Sequence, residues 1–256
     1  MCGIVGLYLK NTKFENELGK LFAPMMEAMT NRGPDSAGFA VYGDEVAEGV
    51  KLTLQHDSAD YPWHELQAEL SDIYGGQVAL EIHSTAAVLK ISANEDAVRS
   101  FIDTHHPEVS IMSVGKSIEI LKGMGLPADV TKRFGLENMK GTHIIGHTRM
   151  ATESAVTTEG SHPFTTGMDL CLAHNGSLSN HNRLRQELKR EGIKFQTEND
   201  SEVAAGYLAW RLQEGDTLKE ALESGLEALD GFYTFVIGTQ NGFAVIRDPV
   251  ACKPAI

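Results

Sequence analysis

The chain begins with an apolar run, Ile4, Val5, Leu7 and Leu9, set among Gly3 and Gly6. These β-prone residues predict a buried strand starting at the second position. Leu18, Leu21, Phe22, Met25 and Met29 then recur at helical spacing over Glu15 to Met29, and Pro24 inside that span predicts a kink or a late helix start. The segment Asn31-Arg32-Gly33-Pro34-Asp35-Ser36-Ala37-Gly38 reads as a loop by its glycines and proline, and it leads into a short strand over Phe39 to Tyr42. From about Lys51 to Lys140 the pattern suggests a separate α/β unit, expected to shape an entrance or a partner surface. It comprises strands over Gln77 to His83, Ala86 to Ser92 and Val109 to Val114, a helix capped by Asn94, and helices over Ser117 to Met124 and Asp129 to Phe134. From Gly141 onward, strands are predicted over Thr142 to Thr148 and Asp169 to Ala173. Helices follow over Asn180 to Glu191, Ser201 to Gln213 and Leu218 to Leu229, and a final hairpin turns at Asn241-Gly242.

Composition narrows the class of protein without naming a function. With 256 residues, 42% hydrophobic and 22% charged, the chain has enough length for a large core and the balance of an ordinary globular protein. A net charge of −13 argues against nucleic acid as a partner, since phosphate neutralisation needs a basic face. The sequence shows no apolar run of bilayer length and no secretory leader, so a cytoplasmic protein without membrane association is expected. Cys2, Cys171 and Cys252 form neither a CxxC pair nor a zinc spacing, and His105-His106 before Pro107 reads as a polar helix end. No metal site is expected.

Chemistry concentrates at the start. Removal of Met1, which the small Cys2 side chain favours, would leave Cys2 with both a thiol and a free α-amine, a group that ordinarily titrates at about 7.7–8.0. That amine can take the thiol proton directly or through a water, as in N-terminal threonine hydrolases. Arg32 and Asp35 are the pair suited to pinning such a terminus.

Further groups stand at strand ends and helix starts. Arg149 offers a guanidinium fork for a carboxylate. Asn175 and Gly176 offer a side-chain amide and an unshielded backbone N–H, the donors of an oxyanion hole. Asp200, within the acidic helix start Thr197-Glu198-Asn199-Asp200-Ser201-Glu202, could hold an ammonium. Taken singly, a surface arginine, a turn asparagine and a helix-start aspartate are ordinary; their joint occurrence with Cys2 is not. Together they specify an α-amino acid with a side-chain amide facing Cys2, which only glutamine and asparagine provide.

These segments resemble the class II glutamine amidotransferases, which are N-terminal-nucleophile (Ntn) hydrolases. The matching pieces are Cys2-Gly3-Ile4-Val5-Gly6, Arg32-Gly33-Pro34-Asp35-Ser36-Ala37-Gly38, His147-Thr148-Arg149, Ala151-Thr152, His162-Pro163-Phe164, His174-Asn175-Gly176, Asp200-Ser201-Glu202 and Asp230-Gly231-Phe232. The resemblance implies an α+β fold, a four-layer αββα sandwich, interrupted by the unit at about 51–140. It implies Cys2 as nucleophile, Asn175 and Gly176 as oxyanion hole, and Arg149 and Asp200 as the grips on glutamine. Thr152 would line the pocket, with Arg32, Asp35, His162 and His174 in support.

Within that family the chain looks most like the stand-alone amidotransferase subunit of the glutamate synthase and N-methylglutamate synthase group. That likeness implies separate synthase partners, a flavin-binding barrel carrying FMN and a β-helical component, with no cofactor in this chain. Ammonia released from glutamine would pass to them. There are departures. Glu153 stands where sugar-phosphate-specific members have His, and Ala251 replaces a family glycine within Asp248-Pro249-Val250-Ala251-Cys252-Lys253-Pro254. The sequence stops short of the strands that usually finish the fold, so either it is truncated or a partner completes the sheet. Rival readings are an Ntn amidase of another amide and a silent glutamine-binding or assembly subunit.

Overall fold

The computed structural model describes residues 2–76, 78–151 and 155–255. Strand β1 (Gly3–Tyr8) is followed by a 3-10 turn at Thr12–Glu17 and helix α1 (Leu18–Ala28). The late helix start therefore holds, with Pro24 inside the helix, and Leu18, Phe22, Ala23 and Met26 form its buried stripe. Strand β2 (Ser36–Tyr42) begins inside the expected loop and is buried along its whole length.

Next come β3 (Val50–Gln55), α2 (Trp63–Tyr74), β4 (Ala79–His83), β5 (Ala86–Ile91), α3 (Glu95–His105) and β6 (Ser110–Gly115). Asn94 caps α3 by accepting from the Ala97 N–H at 3.2 Å, as expected. Strand β7 (Ile118–Met124) corrects the helix expected over Ser117 to Met124, because this segment lies in register against β2 from Tyr42↔Ile118 to Ser36↔Met124. Ile118, Ile120, Leu121 and Lys122 are all buried, so an apolar run with faces on both sides gave no clean strand alternation. Helix α4 (Pro127–Arg133) and strand β8 (His143–Arg149) follow. The remaining elements are β9 (Phe164–Gly167), β10 (Leu170–Leu178), α5 (His181–Arg190), α6 (Asp200–Gln213), α7 (Leu218–Ala228), β11 (Gly231–Thr239) and β12 (Gly242–Arg247).

Three antiparallel sheets result. The first has the order β1-β8-β2-β7 and the second β12-β11-β10-β9. Ile4, Ala40, Tyr42, Ile118, Ile120 and Ile145 of the first sheet meet Cys171, Ala173 and Val236 of the second. On the outer face of the first sheet, α1 and α4 pack through Phe22, Met26, Val130 and Phe134. On the outer face of the second, α5, α6 and α7 pack through Leu184, Leu188, Val203, Leu208 and Ala221. The fold is thus the α+β, four-layer αββα sandwich.

The third sheet, β4-β5-β3-β6, has its own core with α2 and α3 around Trp63, Leu66, Leu89 and Ile102. It spans residues 50–115, a narrower stretch than the 51–140 unit expected, because β7 and α4 belong to the sandwich. Strand β1 also differs from expectation: it is an edge strand with alternately half-buried and exposed side chains, since the neighbouring position in its sheet is open. Among the described residues, no helix is long and apolar enough to cross a membrane.

Candidate active site

The pairing of β1 with β8 places Cys2. Gly3 is opposite Thr148, so the antiparallel register continued by one residue sets Cys2 opposite Arg149. Ile4 and Ile145 face the space between the sheets. Side chains two apart on a strand share a face, so Cys2, His147 and Arg149 point the same way. The Cys2 thiol is free, half-buried, and directed at the Met150 carbonyl at 3.9 Å.

Arg32 and Asp35 stand at different points around the start of β1. Arg32 is exposed and lies beside the strand start, where a Cβ added at Gly3 would stand 3.1 Å from the Arg32 Cβ and 2.8 Å from Thr148 Oγ1. Asp35 fixes the exit of β8: its N–H donates to the Arg149 carbonyl at 3.1 Å and its Oδ2 accepts from the Ala151 N–H at 2.8 Å. It therefore shapes the wall facing the thiol. Arg149 is buried and donates to the Ala155 carbonyl at 3.1 Å. Thr152 and Glu153 lie outside the described residues.

The opposite wall is β10. His174-Asn175-Gly176 sits within this strand, which runs on to Leu178, and not at a strand end as expected. Cys171 and Ala173 face between the sheets, so Asn175 does too, on the side of Cys2. Backbone groups of alternate residues on a strand point to the same edge. The His174 carbonyl is taken by His147 and the Leu178 N–H by Asp200, both outside the β11 pairing. The Gly176 N–H lies between them on that edge, beyond the last β9 partner at Leu172. Gly176 has φ +155, and a Cβ there would stand 2.0 Å from the Phe232 carbonyl oxygen, so the position requires glycine.

Behind β10, Asp200 opens α6 beneath the cap of Asn199. Asp200 Oδ2 accepts from the Leu178 N–H at 2.8 Å, which makes it a strut of β10 as well as a partly exposed acid. A carboxylate has about four acceptor positions, so sites for an ammonium remain. His174 Nδ1 stands 2.7 Å from Ser201 Oγ and 3.9 Å from Asp200 Oδ1. His162 stacks on His147 with centroids 4.0 Å apart and meets Phe164 edge-on. Burial drives all three histidines toward the neutral form: His147 falls to about 3, His174 to about 4, and His162 well below its ordinary value. They therefore add no positive charge on either side of β10.

A loop, residues 155–163, closes over this end of the sandwich and is held from three sides. Arg149 takes the Ala155 carbonyl, Lys122 takes those of Glu159 and Ser161 at 3.0 and 2.8 Å, and Asn199 takes that of Gly160 at 3.0 Å. Burial lowers the Lys122 ammonium to about 8. Sequence reasoning missed Lys122 because its segment has the look of a helix, and missed Asn199 and His147 because their partners are distant in the chain. Among the described residues, no group of three or more His, Cys, Asp or Glu side chains could hold a metal ion. His106 instead bonds Tyr61 and Glu69.

Comparison with known proteins adds to this geometry. Residues 147–256 match the glutamine amidotransferase domain family. The glutamine amidotransferase-like protein GlxB of Rhizobium meliloti (strain 1021) is 52% identical over all of this chain and 85% of its own length. A protein of Methanothermobacter thermautotrophicus, provisionally named a glutamine amidotransferase, is 31% identical over all of this chain and 87% of its own length. The solved structure of an allosteric regulatory enzyme of purine biosynthesis superposes on 97% of this chain and 37% of its own, with a TM-score of 0.59 at 22% identity, a likeness of fold. With relatives this similar along its whole length, the chain is an enzyme of the class II, N-terminal-nucleophile glutamine amidotransferase family.

Proposed function

We propose that the chain is the glutaminase subunit of a synthase. Cys2, freed of Met1, gives its thiol proton to its own α-amine, and Sγ attacks the side-chain amide carbon of glutamine. The tetrahedral oxyanion is held by the Asn175 amide and the Gly176 N–H. As the C–N bond breaks, the α-ammonium returns its proton to the departing nitrogen and ammonia leaves. Water then adds to the γ-glutamyl thioester, the α-amine accepting its proton; the C–S bond breaks, glutamate is released, and the α-ammonium returns the proton to the thiolate. Arg149 takes the substrate carboxylate and Asp200 its ammonium. None of these steps calls for a metal or cofactor.

One observation carries this reading: the β1–β8 register aims Cys2 between the sheets, toward the strand edge bearing the Gly176 N–H. The ammonia is passed to a partner of glutamate-synthase type, with FMN on that partner; the motif likeness to the group's stand-alone subunits supports this finer assignment. The test is the intact mass of the purified chain before and after treatment with a diazo-ketone analogue of glutamine. The expected result is a mass lacking Met1 and one adduct on Cys2, blocked by excess glutamine. Retained Met1, or an unlabelled Cys2 in the folded chain, would refute the mechanism.

A further inference from the structure

Two histidines on β8 make the same bond across the sandwich at opposite ends. His147 Nε2 donates to the His174 carbonyl at 2.9 Å, and His143 Nε2 donates to the Thr239 carbonyl at 2.8 Å. Four strand positions separate them, roughly 13 Å. They differ in what lies beside them. His147 is in register with Ile4, two residues from Cys2 on the same face, and its acceptor immediately precedes Asn175. His143 is in register with Tyr8 at the far end of β1, and its acceptor closes the β11–β12 hairpin.

We propose that His147 is a positioning residue that sets the distance and alignment between Cys2 and the Asn175–Gly176 oxyanion donors. This rests on the glutaminase reading above. Apolar packing between the sheets is non-directional and allows small sliding of one sheet over the other. An N–H···O bond loses strength steeply when bent, so it resists that sliding. An oxyanion donor must lie about 2.7–3.1 Å from the developing charge, and a misplacement of about 1 Å can lower the rate about 100-fold. The ring is also held in place. His147 is fully buried, and the stacked His162 ring at 4.0 Å limits its rotation. Because the carbonyl accepts from Nε2, the neutral ring carries its proton there, which keeps the bond in one form.

The test compares His147→Leu, His143→Leu and His147→Gln in the whole chain. Three quantities are measured: the maximal rate and half-saturation of Cys2 labelling by the diazo-ketone analogue, kcat and KM for glutamine, and the thermal midpoint. His147→Leu is expected to lower the maximal labelling rate and kcat about 10–100-fold, with half-saturation and KM within threefold. His143→Leu is expected to lower the midpoint comparably while leaving both rates within twofold. His147→Gln, whose amide N–H can reach the same carbonyl, is expected to recover most of the rate. Retention of rate within threefold by His147→Leu, or an equal rate loss in His143→Leu, would overturn the proposal. Should His147→Leu fail to fold, His147→Asn, with its shorter reach, replaces it; equal rates in the Asn and Gln variants would then overturn it. A wild-type chain that neither labels nor turns over glutamine would refute the glutaminase reading itself, a result seen before any variant is compared.

Discussion

Replacing Gly176 by alanine perturbs β10, which the proposed mechanism makes the source of the oxyanion donors, at its tightest point. The added Cβ would stand 2.0 Å from the Phe232 carbonyl oxygen, 2.7 Å from the Tyr233 Cα and 2.9 Å from His174 Nε2. Ordinary contact begins at 3.4 Å, so 3.4 − 2.0 requires an opening of about 1.4 Å between β10 and β11. Two of the three obstacles are backbone atoms and cannot rotate away. Overpacking of this kind costs about 1–3 kcal/mol, and placing an L side chain at φ +155 adds about 1–2 kcal/mol. The sum, about 2–5 kcal/mol, should lower the thermal midpoint by roughly 5–15 °C. The same opening shifts the Gly176 N–H by about 1 Å, which should reduce glutamine hydrolysis about 100-fold or more. Gly192→Ala is the control: φ there is +89 and an added Cβ meets nothing within 4 Å, so about 1 kcal/mol is lost and activity is unchanged. Both variants are assayed for kcat well below their midpoints and for unfolding by calorimetry. A Gly176→Ala enzyme within threefold of wild-type kcat would refute the placement of the oxyanion donor.

Other consequences are testable in the same way. Asp200→Asn keeps an oxygen to accept the Leu178 N–H but removes the charge, so KM for glutamine should rise about tenfold or more with the midpoint nearly unchanged; an unaltered KM would mean that Asp200 serves only as a strut. Lys122→Met leaves the Glu159 and Ser161 carbonyls without their donor, which should cost about 2–4 kcal/mol and expose residues 155–163 to limited proteolysis; an unchanged cleavage pattern would refute the clamp. The folded pKa values of His147, at about 3, and His174, at about 4, lie below the ordinary 6.5, as does that of His162. Between about pH 6.5 and 4 the unfolded chain therefore binds more protons than the folded one. Stability should fall as pH drops through that window, by about 1.4 kcal/mol per unit for each neutral histidine. Urea midpoints should track this, with a shallower slope in His162→Phe; an identical slope would show that His162 titrates freely.

Much of the sandwich was legible because its elements obey one period at a time. Helices α5, α6 and α7 and the β11–β12 hairpin lie close to their expected bounds, and Asn94 caps α3 as its position suggested. The errors fall where burial on two faces removes the alternation. Strand β3 buries Lys51, Thr53 and Gln55 as fully as Val50, Leu52 and Leu54, so its polar positions do not mark a solvent face. Strand β7 is similar, with Lys122 pointing inward. Helix α2 buries Trp63, Leu66 and Leu70 at helical spacing, but one short stripe between two loops is too brief a signal to stand out. At the site, residue types spoke for Cys2, Arg149, Asn175 and Gly176, whose chemistry is local. The roles of Asp35 and Asp200 as backbone acceptors depend on Ala151 and Leu178, and no spacing in the chain announces those contacts.

The way the third sheet joins the sandwich has a consequence for how the fold tolerates change. The chain leaves the first sheet at Tyr42 and re-enters it at Ile118, and these two residues are direct cross-strand partners. To the sandwich, everything between them is one oversized hairpin loop. Lengthening such a loop twofold adds only about 0.6 kcal/mol of closure entropy, so β2 and β7 can stay paired around almost any cargo that folds on its own. The inserted stretch is still anchored on the sandwich, since the Asp169 N–H donates to the Val114 carbonyl at 3.0 Å, Lys51 pairs with Glu119 at 2.8 Å and Met112 packs between the two sheets. An exchange of that region would keep the β2–β7 pairing but would have to replace those anchors.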